Sequence, residues 1–468
     1  MFVTRAHLRR VAPYAILLAA WGAMIAYAHP GLMSWDSVRQ LSEARTQTYG
    51  NWHPPMMAAL WHLLDAIVRG PLLMLMLQTA LVMVGLYGIF RHYFAPLRAA
   101  VIAAGVFWFP PVMSILPVIW KDCLMAGCVL CGAAGLLSPN RYARAGGWLA
   151  LFGAAAFRHN APLLIVPIAA ILMPGTSRSW RRHALGAAIA LGLSVVAGLA
   201  NRALATKDDH PFASMIAVAD LAGMLDEAPP IDDATARELL AGTPLVATSG
   251  IQARAHKLVA PDPGNMEDVT TGSLRLFDLP TTDAQADALV AAWWRGIETY
   301  PLAYLGYRAR VFRSALGLSS RVRPFFTARD EDAHYLHLVD EKRDYARYQL
   351  AIAHGLQAIS GWILFWPFLY VILGAGLLVI RWRDRLVRAL LLSAFCYEAA
   401  LLIVAPGGHE WRYSHWLATC VVIAAAIRLL DLPDRNGRLT PPAAAPDAPA
   451  APRDRRAAPP RTAPSGRR

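Results

Sequence analysis

Charge is scarce in this chain. Asp, Glu, Lys and Arg make up 16% of its 468 residues, against about 25% in an average soluble domain. That deficit, with 56% hydrophobic residues, argues against an ordinary water-soluble fold. Cysteine is scarce too: five in all, and none between residues 205 and 349, which excludes a disulfide framework in the one long hydrophilic stretch. No GxxxxGK[ST] and no GxGxxG occurs, so a nucleotide-fuelled transporter is disfavoured. Neither HExxH nor a Cys/His zinc spacing is present. Cys128-x-x-Cys131 has the spacing of a redox pair, but inside an apolar run it reads as small residues packing between helices. The net charge of +13 does not point to nucleic acid, because the basic residues are sorted by loop rather than gathered on one face.

What is present is a series of uncharged apolar runs: 11–28, 71–90, 99–119, 184–200, 357–380 and 413–427. Runs of about 20 residues suit a helix crossing the hydrocarbon. The expected fold is all-α, a polytopic membrane helix bundle of about ten spans, some short or broken, with a mainly helical periplasmic domain. The start of the chain, basic then apolar then Ala-Tyr-Ala, resembles a signal peptide but reads better as an uncleaved first span.

Loop charge gives an orientation. The first ten residues with 91–98, 138–146, 175–183 and 381–388 hold 14 Lys/Arg and one acid, Asp384, which places them in the cytoplasm. Segment 205–349, with 21 Asp/Glu and 15 Lys/Arg, is placed outside by parity. Expected spans are 11–28, 71–90, 99–119, 123–137, a broken pair within 147–174 meeting at Arg158-His159-Asn160, 184–204, 357–380, 388–405 and 413–430. Residues 55–68 read as an interfacial helix. The expected divisions are 1–204, an N-terminal membrane module with the catalytic outer loops; 205–349, periplasmic, ending in interfacial helices; 350–430, the C-terminal membrane helices; and 431–468, a disordered Pro/Ala/Arg-rich cytoplasmic tail. Both termini are cytoplasmic on this reading, in a bacterial inner membrane. Along "YPLAYLGYRARVFRSALGL", Arg308, Arg310 and Arg313 are expected to snorkel from an interfacial helix.

This topology gathers polar residues at the outer face: Asp36, His53, Lys121-Asp122, Arg158-His159-Asn160, His409-Glu410 and Arg412. Ionisable groups within a membrane module default to a functional hypothesis. Each has a blander reading. Asp36 in "SWDSVRQLSEA" also suits a helix cap, Lys121-Asp122 an interfacial anchor, and His53 an amphipathic interfacial residue. Glu398, inside an expected span, reads as paired with another buried polar group. Together, carboxylates that orient or deprotonate a hydroxyl and cations that hold phosphate oxygens suit a lipid-phosphate substrate and a periplasmic acceptor.

The pattern "SWDSVRQ", then "NWHPPMMAALW", then "WKDCLMAG", resembles the GT-C superfamily of membrane glycosyltransferases, which use polyprenyl-phosphate sugar donors. "RHNA", "DLAGM", "WWRGIETYPLAYLGYR" and "EWRYSHW" resemble a bacterial branch of it, and the likeness runs in order through residues 1–430. The resemblance implies that Asp36 is the catalytic base or acceptor-orienting carboxylate. It implies that Asp122 is a second acidic group, which in some members binds a divalent cation (Mg or Mn), with Asp36 as the other candidate metal ligand. Lys121, Arg158 and Arg412 would contact the donor phosphate; His53, His159, Asn160, His409 and Glu410 complete the candidate substrate-binding set. The implied partners are a polyprenyl-phosphate-linked sugar, a periplasmic glycan, lipid or protein acceptor, and membrane lipids. Two departures stand out: the acid of the first loop is not part of an Asp-Glu pair, and the outer domain sits between the seventh and eighth expected spans rather than at the C-terminus. A transporter or flippase of a lipid-linked sugar, or a structural envelope-assembly protein, remains the alternative.

Overall fold

A computed structural model describes residues 5–175, 179–259, 269–319, 337–341, 345–405 and 410–430. Within them the fold is all-α, with nineteen α-helices and only isolated β-bridges. The expected tail, 431–468, and His409 lie outside the described residues.

The helices run α1 (Arg5–Ala28), α2 (Trp35–Thr46), α3 (Pro55–Asp65), α4 (Leu72–Arg91), α5 (Pro96–Phe107), α6 (Pro110–Met113), α7 (Lys121–Leu137), α8 (Arg141–Phe157), α9 (Pro162–Leu172) and α10 (Trp180–Leu204). After a single π-helical stretch, Phe212–Ala217, come α11 (Val218–Glu227), α12 (Asp233–Leu239), α13 (Ile251–Val259), α14 (Asp283–Thr299) and α15 (Pro301–Ala315). The last described helices are α16 (Arg347–Ile359), α17 (Pro367–Ile380), α18 (Arg385–Val404) and α19 (Trp411–Leu430).

Five helices are long and apolar enough to cross a membrane: Arg9–Ala28 of α1, α4, α10, α18 and α19. α5, α9 and α17 are shorter and apolar. On α10 only Gly186, Ala190, Ala197 and Asn201 are buried, and Leu185, Leu191, Val195, Val196 and Leu199 all stand exposed. A continuous apolar face of that kind marks a surface meant for something other than water. The chain is accordingly a multi-pass membrane protein.

Two expected spans are interrupted. The run 99–119 forms α5 and the short α6, then an irregular stretch to Trp120. Pro110, Pro111 and Pro117 bring no N–H to a helix ladder, and hydropathy alone does not register them. The freed backbone is satisfied from elsewhere. Leu32 N–H donates to Pro117 O at 3.0 Å, and Ile119 N–H donates to Leu32 O at 2.8 Å. Gln78 Nε2 donates to Leu116 O at 2.7 Å and Val118 O at 2.6 Å. All of 112–119 is buried, the condition under which non-helical backbone is tolerated at membrane depth. The run 357–380 likewise divides into the end of α16, a 3-10 turn at Ile363–Phe365 and α17, which Pro367 opens. Within 147–174 two helices do meet at Arg158, but the first begins at Arg141 and reduces the expected loop 138–146 to three residues. Cys128 and Cys131 are free thiols on α7, and Cys131 donates to Leu81 O at 3.1 Å.

The described residues of 212–259 and 269–315 build a second core, with Leu221, Leu225, Phe277, Leu289 and Tyr307 among its buried members, and it extends onto Leu401 and Ala405 at the end of α18. Arg308 does not snorkel. It is 3% exposed and donates to Asp220 Oδ2 at 2.7 Å and to Ala405 O at 2.8 Å. Trp293 Nε1 donates to the same Asp220 oxygen at 2.7 Å. A guanidinium that finds a buried carboxylate and a carbonyl is better satisfied there than at an interface. Arg310 pairs with Asp226, and Arg313 is the exposed member of the three.

α11 and α15 cross closely at Gly223, where an added Cβ would stand 2.2 Å from the Tyr307 ring. Tyr307 is 2% exposed and has nowhere to move. Gly223→Ala is expected to cost about 1–3 kcal/mol by overpacking, read as a lowered thermal unfolding midpoint in detergent. An unchanged midpoint would show that this crossing is not close.

Candidate functional site

Four distant parts of the chain deliver the site, each fixed by a local device. Asp36 is the second residue of α2. It is not the cap: Ser34 holds that position, and its N–H donates to Ser37 Oγ at 3.1 Å. Ser37 Oγ donates in turn to Ile119 O at 2.7 Å, and Trp120 Nε1 donates to Ser34 Oγ at 2.6 Å. The start of α2 is therefore bonded to the irregular stretch that leads into Lys121 and Asp122, the first two residues of α7.

His53 precedes Pro54 and Pro55, and Pro55 opens α3 where a missing N–H costs nothing. Its loop is tied down by Thr206 N–H to Tyr49 O at 2.8 Å and by Asn51 Nδ2 to Asp208 at 2.7 Å. Arg158 ends α8 in extended backbone, φ −149° and ψ 132°. Arg412 is the second residue of α19, which is anchored by Trp411 Nε1 to Pro111 O at 3.0 Å and by His415 Nε2 to Val112 O at 2.8 Å.

These residues face one cavity of about 610 Å³. Arg412 Nη1 donates to Asp36 Oδ2 at 2.6 Å, and Lys121 Nζ lies 3.9 Å from the same oxygen. Lys121 Nζ also donates to His53 Nδ1 at 2.5 Å. That contact leaves the ring proton on Nε2, which faces Asp36 Oδ1 at 3.5 Å; the tautomer is assigned from this network. A second pair lines the same cavity: Arg158 Nη1 with Asp122 Oδ1. Arg158 Nε donates to Asn160 Oδ1 at 2.8 Å. Asp122 Oδ2 is buried and has no hydrogen-bond partner. Arg412 lies over the rings of Trp120, at 4.9 Å, and Tyr413, at 5.2 Å.

Of the sequence-derived candidates, Asp36, His53, Lys121, Asp122, Arg158, His159, Asn160 and Arg412 all line this cavity. Glu410 does not; it pairs with Arg412 Nε from behind. Glu398 finds its polar partner in Ser414, whose hydroxyl donates to Oε1 at 2.7 Å. The sequence reading missed the rest of the wall. Phe212, Met215, Ile216, Leu401 and Val404 give the cavity an apolar side, and nothing local in "PFASMIAVAD" marks it as cavity-lining.

Burial pushes Asp36 up, but the charges of Arg412 and Lys121, with the hydrogen bond from His53, outweigh it and hold the carboxyl well below its ordinary value. Burial, with the Lys121 charge, pushes His53 down to about 4, so the imidazole is neutral at pH 7. Between its ordinary value of about 6.5 and pH 4, the unfolded chain binds a proton here that the folded chain does not. Stability therefore falls on acidification across that window. Asp36, whose folded value is depressed, keeps its full contribution above its ordinary value of about 3.9 and loses it progressively below that, outside this window. Thermal midpoints measured from pH 7 to pH 4 are expected to decline, and His53→Gln to flatten the decline. An equally steep decline in the variant would assign it to other groups.

The carboxylates do not suit the divalent cation that the family likeness allowed. Asp36 is engaged by Arg412 and His53, and Asp122 by Arg158. Among the described residues no group of three or more His, Cys, Asp or Glu could hold a metal ion. Three side-chain cations already occupy the places where an ion would balance charge.

No family model, curated protein or solved structure matches the chain. Its function is argued from this geometry.

Proposed function

We propose that the protein is an integral membrane glycosyltransferase that moves a sugar from a polyprenyl-phosphate donor to an acceptor hydroxyl, with inversion at the sugar carbon. The observation that carries the reading is the composition of the cavity: two carboxylates and three cations line it together with apolar side chains of residues 212–216 and 401–405. A lipid phosphate bearing a sugar has matching parts. The about 610 Å³ available lies within the usual range of small-molecule sites, about 300–1,000 Å³.

In the proposed step the acceptor oxygen attacks the anomeric carbon, and the bond from that carbon to the phosphate oxygen breaks. The lipid phosphate leaves with the electron pair, and its growing charge falls on Arg412, Lys121 and Arg158. Preorganised charge of this kind is commonly the largest contribution to lowering such a barrier. The acceptor proton goes to a carboxylate. In the resting site Asp36 is a weak base, because three positive or hydrogen-bonding groups hold it ionised. A donor phosphate that draws Arg412 and Lys121 to itself loosens that hold and raises the basicity of Asp36. Proton acceptance is then coupled to donor binding. Asp122, with one free oxygen, orients the acceptor or the sugar hydroxyls.

The accompanying topology is the ten-span one, with 205–349 periplasmic and both termini cytoplasmic in a bacterial inner membrane. The basic short loops support the orientation, and the five long apolar helices support multiple crossings. The test is direct. Purified protein in proteoliposomes is offered a panel of polyprenyl-phosphate hexoses and pentoses, and release of polyprenyl phosphate is measured. Consumption of one donor supports the reading. Movement of the intact donor across the bilayer, with no bond cleaved, would make the chain a flippase, and no consumption of any donor would remove the enzyme reading.

A further inference from the structure

A second cavity, about 590 Å³, lies between α10 and the facing parts of α3, α8 and α9. It shares only His159 and Pro162 with the first, and the proposed reaction makes no use of it. Its shape follows from small residues. At Gly186, α10 lies against α9 so closely that an added Cβ would stand 2.4 Å from Ala169 O. Three turns further on, at Gly198, an added Cβ would meet nothing within 4 Å. The helices thus part from a tight contact into a cleft floored by Ser194, Gly198 and Ala155. The rest of the α10 surface is exposed and apolar, so the cleft opens from a lipid-facing helix.

The mouth of the cleft is polar, and its charges are unevenly satisfied. Asp208 already accepts from Asn51 Nδ2 at 2.7 Å and from the His210 N–H at 2.8 Å. Lys207 pairs with Asp209 at 2.9 Å. Arg202, in the last turn of α10, is exposed and makes no hydrogen bond or close ion pair among the described residues; its charge acts on Asp208 at longer range. A guanidinium with open donors suits a phosphate oxygen pair, and Arg202 lines a cleft of about 590 Å³.

We infer that this cleft is a binding site for a membrane phospholipid, with its phosphodiester on Arg202 and one acyl chain running down past Gly198 and Ser194. The site is separate from the proposed donor cavity and does not depend on the glycosyltransferase reading. Head and chain are both required: the phosphate contact fixes one end, and the small-residue floor lets one chain pack closely against α10.

The test uses thermal unfolding of the full-length protein in detergent, with three additions: phosphatidylglycerol, diacylglycerol, and inorganic phosphate. Phosphatidylglycerol is expected to raise the unfolding midpoint by about 5 °C, and diacylglycerol and phosphate to leave it within about 1 °C. Gly198→Leu starts from a Cβ that meets nothing within 4 Å and adds bulk to the cleft, and it is expected to abolish the shift, as is Arg202→Gln. Arg412→Gln, in the first cavity, is expected to keep the shift relative to its own baseline. Equal shifts from diacylglycerol or phosphate would overturn the proposal. So would a shift that survives Gly198→Leu, or one lost with Arg412→Gln and retained with Gly198→Leu, which would put the lipid in the first cavity.

Discussion

On the glycosyltransferase reading, Asp36→Asn lowers the rate of sugar transfer by about 10²–10⁴-fold, the range for loss of a general base, while donor binding holds or tightens. The reason lies in its partners. Asn is nearly isosteric and still accepts a hydrogen bond from Arg412, so the cavity keeps its shape. It carries no charge, so it neither takes the acceptor proton nor competes with a phosphate for Arg412 and Lys121, now 2.6 and 3.9 Å from Asp36. The measurement is a split between kcat and KM for the donor, with the thermal midpoint as a control for folding. A fall in donor affinity with an unchanged kcat would assign Asp36 to donor binding. Full activity in Asp36→Asn would remove it from the reaction.

The second large effect concerns the buried pair that ties residues 212–315 to α18. Arg308→Met leaves Asp220, fully buried, with Trp293 as its one remaining hydrogen-bond partner among the described residues. Breaking a buried pair on one side costs about 3–5 kcal/mol, because the charge left behind is uncompensated. The midpoint is expected to fall by several degrees, and Asp220→Asn added to Arg308→Met is expected to restore part of the loss, since no lone charge then remains. A double variant worse than the single one by the full cost of Asp220→Asn would show the two residues to be uncoupled. The consequence for the site is traceable. Arg308 bonds Ala405, Ala405 lines the cavity, and the π-helical stretch carrying Phe212, Met215 and Ile216 joins α11, which bears Asp220.

The polar half of the site was legible in the sequence because charge is rare here. Each of Asp36, Lys121-Asp122, Arg158 and Arg412 interrupts or adjoins an apolar run, and one aqueous cavity answers the cost of all of them. The apolar half was not legible. Phe212 and Met215 look like any core residues, and only tertiary packing brings them to the cavity that Arg158 lines. Arg308 was misjudged for a related reason: an arginine on an apolar helix suits an interface when seen alone, and Asp220, 88 positions earlier, carries no local sign that the two will meet. Span limits failed where proline decided the outcome. Hydropathy reports whether side chains tolerate hydrocarbon and is blind to whether backbone N–H groups are present to close a helix, as at Pro110-Pro111 and Pro367.

The stretch from Ser114 to Trp120 has one more implication, for how the protein is made. Its carbonyls and amides are claimed by Leu32 and Gln78, so it cannot settle among lipid tails by itself. Both partners lie nearer the N-terminus and leave the ribosome before it does. Synthesis from that end delivers the receiving surface first, and the proline-broken ribbon, with the lysine and aspartate it leads into, has a prepared place to land.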